Sequence, residues 1–293
     1  MDFAVRSAAR SRPGGRGPRA SARDRFVPYV AYVAPPPGRA LGHAGDGPTT
    51  CFRVATYNVH RWTGLPGGTR YQPELAAEVL AELDVDVIAL QEVLRPFARP
   101  DPLRRLAEQL GMHVAFSVSR VHKRGELGNA ILSRWPLSSV FTTNLTVSRI
   151  ERRSALAAEF HRDGASISIV ATHLALIDRL RQRQVRALLE HPRLQGAVVL
   201  MGDMNAWRRC PATRDLDREL PSEHRNLAWP PSFPATRPLL ALDRIYARGA
   251  RVVDLRAHRS PAARRGSDHL PIVARVELGP CPEPDGTDRP VAQ

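Results

Sequence analysis

Lysine is almost missing: Lys123 is the single one among 43 basic residues, and the other 42 are arginine. So lopsided a choice fits the codon bias of a GC-rich genome better than selection for guanidinium geometry, although arginine does suit phosphate. Bias accounts for arginine over lysine. It does not account for the excess over 29 acids, a formal net charge of +14, which points to a polyanionic partner. Cysteine is scarce too: Cys51, Cys210 and Cys281 are odd in number and share no metal-type spacing. That argues against a disulfide framework and a zinc site, and makes a reducing, cytoplasmic compartment the default. No apolar run approaches the roughly 18 residues of a membrane span. The segment FVPYVAYVAP at 26–35 is too short and is broken by proline. Aromatics make up only 6% of the chain, which leaves little for base-stacking platforms.

What is present divides the chain in three. Residues 1–50 are rich in Arg, Pro and Gly and read as a disordered tail, or as the product of a wrongly placed start. An arginine-rich, acid-poor leader also fits a transit peptide, but a solvated tail is the commoner meaning of such composition. Residues 51–278 carry the folded pattern, long enough to bury a real core, and 279–293 read as a second disordered tail.

Within 51–278, strand-like and helix-like runs alternate. FRVATYNV (52–59) and DVIALQEV (86–93) read as buried strands. PELAAEVLAEL (73–83) has helical spacing and opens on proline, and DPLRRLAEQLG (101–111) is a helix closed by glycine. GNAILSR, RSALAAEF and ASISIVATHL continue as strands, followed by a basic amphipathic helix, IDRLRQRQVRALLEH. AVVLMGD, LLALDRIYA and LPIVARVEL complete the strand set. Alternation with paired strands in the middle predicts an α/β sandwich built on mixed sheets.

Polar residues sit where the apolar runs stop: Asn58, Glu92, His173, Asp203, Asn205, Asp243, Asp268 and His269. In α/β sheets ligands gather outside strand ends. Taken singly, Asn58 is a turn cap, Glu92 a solvated acid, His173 an edge histidine and GDMN an Asx-turn. As a set they are harder to dismiss. Carboxylates crowded together with hardly a lysine to pair them repel one another and raise their pKa values. A hard divalent cation resolves that conflict, and oxygen donors without thiolate favour magnesium or manganese over zinc.

The ordered motifs TYNVHR, LQEV, GNAILSRWPL, ATHL, LMGDMNAW, LDRIYARG and GSDHLPI span residues 52–278. In that order they resemble the endonuclease/exonuclease/phosphatase superfamily, and SFPATRPLLALDRIYARGA looks most like its small uncharacterised bacterial hydrolases. The resemblance implies a four-layer α/β/β/α sandwich of two packed mixed sheets flanked by helices, DNase I-like, and a divalent-metal-dependent hydrolase of a phosphodiester or phosphomonoester. It implies that Asn58 and Glu92 hold Mg2+ or Mn2+, with Asp268 as a further ligand or an outer carboxylate. Asp203 and Asn205 orient the attacking water and a phosphate oxygen, and His269 takes the water's proton while Asp243 fixes its tautomer. His173 serves a non-bridging oxygen or the leaving group. Asn129 and one of the pair Arg152 and Arg153, assigned as Arg153, contact the phosphate. Some relatives pair the ATHL histidine with an acid, and no such acid stands out here.

The expected partner is a phosphate-ester substrate, small or lipid-linked first, acting on a monomer. Nucleic acid is the alternative, favoured by net charge and by Arg208, Arg209, Arg264 and Arg265 beside the motifs. An anionic membrane surface is a third, through Arg179, Arg181, Arg183 and Arg186 on the basic helix, although an ordinary solvated helix face is the commoner case. A catalytically inactive arginine-rich binding protein is the weakest reading, because binding alone does not require the full polar set. Trp62 and Trp207, just past two of the motifs, are expected to pack loops.

Overall fold

The computed structural model describes residues 26–36, 51–65, 70–148, 151–162, 165–222 and 228–278. Twelve strands among them form two mixed sheets. In chain order they are β1 (Tyr29–Ala34), β2 (Cys51–Asn58), β3 (Val87–Pro96), β4 (His113–His122), β5 (Gly125–Ser133) and β6 (Ser138–Asn144). Then come β7 (Ser154–Arg162), β8 (Ala165–His173), β9 (Ala197–Asp203), β10 (Asp243–Arg248), β11 (Arg251–Ala257) and β12 (Ile272–Glu277). One sheet runs β1-β4-β5-β3-β2-β12-β11 and the other β10-β9-β8-β7-β6. The main helices are α1 (Pro73–Glu82), α2 (Pro102–Leu110), α3 (Asp178–Leu189) and α4 (Pro211–Glu219).

Three apolar layers hold these elements together. Val79 and Leu80 of α1 and Leu103 and Leu106 of α2 pack with Ala55, Ile88 and Phe116 on the outside of the first sheet. Phe52, Val54, Val87 and Ile131 meet Leu156, Ile169, Met201 and Ile245 between the sheets. Val185 and Leu188 of α3 and Leu216 of α4 cover the second sheet with Val170 and Leu200. The expected four-layer α/β/β/α sandwich is what the chain forms. The helix expected from 101 to 111 carries both end signals. Asp101 accepts from Leu103 N at 3.0 Å, and Gly111 closes it at φ +63°.

Two expectations are corrected. Within the stretch read as a tail, Tyr29–Ala34 is an edge strand paired antiparallel with β4. Its tyrosines fix it: Tyr29 donates to Glu126 at 2.5 Å and Tyr32 to Asp101 at 2.8 Å. The rest of residues 1–50, and 279–293, lie outside the described residues. Cys210 is free and buried, but Cys51 is disulfide-bonded, so a chain without disulfides was the wrong expectation. Among the described residues no helix is long and apolar enough to cross a membrane.

Candidate active site

Strand alternation builds the site. Successive side chains point to opposite faces, so Phe52 and Val54, buried between the sheets, share a face with Thr56 and Asn58. By the same count Ile167, Ile169 and Ala171 lead to His173, Val199 and Met201 lead to Asp203, and Ala247 and Ile245 lead back to Asp243. Asn129 shares its face with Ile131. The apolar seam between the sheets therefore turns polar at one end.

There the groups touch. Asn58 Nδ2 donates to Asp203 Oδ2 at 3.1 Å across the seam. His173 Nε2 lies 3.4 Å and His269 Nε2 3.8 Å from the same oxygen. Asp203 is thus the acid beside the ATHL histidine that sequence reading did not identify. Asp203 Oδ1 accepts from Asn205 N at 2.9 Å. On the other side of His269, Nδ1 is 2.7 Å from Asp243 Oδ2. The Phe233 ring lies over His269 at 5.0 Å between centroids and shields one face.

Two glycine-like backbone sites make this possible. Gly202 at φ +153° runs so close to β8 that an added Cβ would sit 1.9 Å from Thr172 O. Asn205 adopts φ +51°, a left-handed conformation asparagine tolerates, and its side-chain amide donates to Leu174 O at 2.9 Å.

Glu92 reaches the site by a different device. Simple alternation would place it with Ile88 and Leu90 against the helices. Instead the β3–β5 register shifts between Leu90 and Val93, and Glu92 takes φ +53°. Such a conformation costs about 1–3 kcal/mol and persists only where its surroundings enforce it. Glu92 then lines a pocket with Asn129, Arg153, Arg120 and His173. Its carboxylate is 3.1 Å from Arg61 Nε.

Asp268 borders the cluster through Ser267, whose Oγ donates to Asn58 O at 2.6 Å and lies 3.2 Å from Asp268 Oδ1. His60 Nδ1 is 3.7 Å from Asp268, and His60 N donates to Asn58 Oδ1 at 3.0 Å. Asn129 donates to Ser154 O at 2.8 Å. Arg153 is held by Glu151 at 2.6 Å while its buried Nε has no partner in the structure. Arg152 and Arg153 both line the Glu92 pocket, and Arg152 also lies 5.4 Å from the Phe26 ring.

Burial sets the electrostatics. His173 is held well below its ordinary pKa by burial, then by Arg153, His269 and Arg120, so it stays neutral. Burial raises Asp203 to about 6, helped by Asp243 and opposed by His269 and the Asn205 and Asn58 hydrogen bonds. For His269 burial pulls the pKa down, but Asp243 and Asp203 outweigh it and lift it to about 10.

Among the described residues, Asp203, Asp243 and His269 are the acids and histidine whose donor atoms all lie within 4.8 Å of one another. Within the trio the 2.7 Å contact spends His269 Nδ1 and one Asp243 oxygen on each other, which leaves Nε2 as the imidazole's free nitrogen, facing Asp203. The expected donors Asn58, Glu92 and Asp268 offer only oxygen, and no thiol competes. The side chains of Glu92 and Asp268 stay partly accessible, at 21% and 15%. That donor chemistry fits a hard divalent ion.

The sequence model of the endonuclease/exonuclease/phosphatase family matches residues 55–269, well over half the chain. The chain belongs to this family. Family membership makes it a hydrolase of phosphoester substrates. It is similar to the uncharacterised protein YbhP of Escherichia coli, 29% identical over 247 residues covering 78% of this chain and 96% of that protein. A family structure from Beutenbergia cavernae is 24% identical with TM-score 0.60, covering 78% of this chain and 72% of that one. A family protein from Leptotrichia buccalis is 17% identical with TM-score 0.64, covering 77% and 99%. At such identities the two structures speak for the fold alone.

Several supporting residues escaped sequence reading. Arg181 of the basic helix points inward at 1% exposure, donating to Ala175 O at 2.8 Å and Asn205 O at 2.6 Å. Gln184 accepts from Ala175 N at 2.8 Å and donates to Leu145 O at 3.0 Å. Together they clamp the loops after His173 and Asp203. Their spacing with Val185 and Leu188, one inward helix face, was the available signal. Arg120, whose buried Nε also lacks a partner, had no sequence signal at all. The arginines picked from sequence as neighbours of the site are partly engaged elsewhere: Arg208 with Asp178, Arg264 with Thr236 O, Arg265 near Glu78. Trp62 packs as expected, buried and donating to Leu94 O at 2.8 Å, whereas Trp207 is 52% exposed and does not pack a loop.

Proposed function

We propose that this family member hydrolyses its phosphoester by in-line attack of water, in a divalent-metal-dependent reaction. The observation that carries the proposal is the line Asp243–His269–Asp203, with neutral His173 on the same carboxylate oxygen. Asn58, Glu92 and Asp268 would hold Mg2+ or Mn2+. When bound, the ion would neutralise charge on the phosphoryl oxygens as a Lewis acid and loosen the carboxylates' grip on the His269 proton.

The chain's own groups do the rest. Asp243 keeps the His269 proton on Nδ1, which leaves Nε2 facing Asp203 to receive the proton of a water held there. Asp203, itself fixed by Asn58 and Asn205 N, aims that water. His173, neutral by burial, donates to a non-bridging oxygen or to the departing oxygen. Arg153, with its unpartnered Nε, and Asn129, with its second amide hydrogen, bind the phosphate.

The test is hydrolysis of bis-p-nitrophenyl phosphate by the full chain. Activity should vanish in EDTA and return with magnesium or manganese, and His269→Ala should retain less than about a hundredth of wild-type turnover. Undiminished activity in chelator would remove the metal from the reading, and undiminished activity of the folded variant would remove His269.

A further inference from the structure

Beside the phosphate pocket lies a second, larger cavity. Its volume is about 1120 Å³, above the roughly 300–1,000 Å³ usual for a small-molecule site. Five cationic side chains line it, Arg61, Arg70, Arg99, Lys123 and Arg124, against the single acid Glu74. Among the described residues no carboxylate forms an ion pair with Arg70, Arg99, Lys123 or Arg124. The β4–β5 turn that carries Lys123 and Arg124 is tied to the end of β3 by Phe97 N donating to Arg124 O at 3.2 Å, so both walls are built.

The positive field is felt locally. His122, on the same turn, is held below its ordinary pKa by burial and then by Arg120, Arg124, Lys123 and Arg61. Aromatic surface is interleaved with the cations: Phe97 is 63% exposed, and Arg99 stacks over Tyr71 at 5.3 Å. The groove adjoins the catalytic cluster through two side chains. Arg61 lines it and also touches Glu92, which shares the phosphate pocket with His173. His60 lines it and faces Asp268.

We propose that this groove binds single-stranded nucleic acid, its phosphates tracking the arginines and an unstacked base lying on Phe97. The proposal rests on the phosphoester-hydrolase reading of the adjoining site, to which the groove would deliver a phosphodiester. It reverses the order expected from sequence, where a small or lipid-linked ester came first. A cationic groove with an exposed ring suits sequence-tolerant strand binding, because every base has a face to stack. A duplex keeps its bases stacked on one another and leaves the exposed Phe97 ring without a role. A lipid surface would want several exposed apolar side chains, and among the described residues Phe97 is the one large exposed apolar residue lining the groove.

The experiment is fluorescence anisotropy of the full chain with a labelled oligodeoxythymidylate of about 12 nucleotides in EDTA, across a salt series. Omitting metal separates binding from turnover. Wild type should bind, with affinity falling steeply as salt rises. Arg99→Gln with Arg124→Gln should weaken binding at least about tenfold and lower the logarithmic salt slope by about 1.4, for two lost single-strand phosphate contacts. Phe97→Ala should weaken it at least about fivefold with an unchanged slope. Hydrolysis of bis-p-nitrophenyl phosphate should stay at wild-type level in all these variants, which shows that they fold. Absence of oligonucleotide binding, or equal binding by wild type and the groove variants, overturns the proposal. So does binding to phosphatidylserine vesicles without binding to the oligonucleotide. If the small ester is not hydrolysed while the oligonucleotide is bound through these residues, the catalytic reading fails and the groove assignment stands.

Discussion

The substitution Asp243→Asn examines the centre of the mechanism. Asp243 is fully buried, its Oδ2 lies 2.7 Å from His269 Nδ1, and its Oδ1 has no partner. Asparagine keeps the shape and removes the charge. Its amide also offers a donor where His269 needs an acceptor, so the imidazole is driven to the wrong tautomer. Without Asp243, burial pulls His269 down again, opposed only by the more distant Asp203 and by Asp268. General-base catalysis contributes about 10²- to 10⁴-fold, so the variant should lose that much in kcat, equivalent to about 3–5 kcal/mol in the barrier. The assay is steady-state hydrolysis of bis-p-nitrophenyl phosphate with magnesium, alongside circular-dichroism melting to show that the variant folds. The double variant with His269→Ala is decisive. If Asp243 acts through His269, the pair should be no slower than His269→Ala alone, because residues acting as a unit are not additive. Losses that multiply would mean that Asp243 works independently of His269, as an ion ligand would, and the relay reading would be refuted. A folded Asp243→Asn enzyme with wild-type kcat would sink it outright.

Other consequences follow from the same structure. Gly202→Ala places a Cβ 1.9 Å from Thr172 O, its partner across the parallel β8–β9 pair beside Asp203. It should destabilise by at least about 2 kcal/mol in urea unfolding. Arg181→Met removes a buried donor from Ala175 O and Asn205 O. It should cost about 3 kcal/mol of stability and lower kcat with little change in KM, since the Asp203–Asn205 turn loses its anchor. In the metal-free protein His269 titrates near 10, above the histidine value of 6.5 in the unfolded chain. Its raised pKa therefore stabilises the fold fully below about 6.5, and that contribution is lost as pH climbs through 10. The midpoint of thermal unfolding in EDTA should fall between pH 7 and 10, and His269→Gln should flatten the fall.

How much of this could be read from residues differs from element to element. The strands carrying Asn58, His173 and Asp203 are short apolar runs, and each polar residue stands in step with the buried alternation before it. Their convergence on one face was therefore encoded locally. Glu92 has the wrong parity for that face, and only the bulge at Gln91–Glu92 turns it inward. A bulge depends on the register of β3 against β5, which is a long-range pairing. Arg181 reads from composition as part of a solvated basic face, whereas its helical position with Gln184, Val185 and Leu188 turns it inward. Tyr29–Ala34 looked like tail because an edge strand is stabilised by its neighbour β4 and by Asp101 and Glu126, not by its own composition.

Sequence by itself determined the layered α/β architecture, the motif order and the polar residues that stand at the strand ends, because strand and helix periods are local properties of the chain. Tertiary structure decided which acid meets which histidine, how Glu92 is aimed, and that arginines from separate loops share one groove. Those outcomes depend on distances between segments far apart in the chain, which packing of the two sheets sets and no local pattern records.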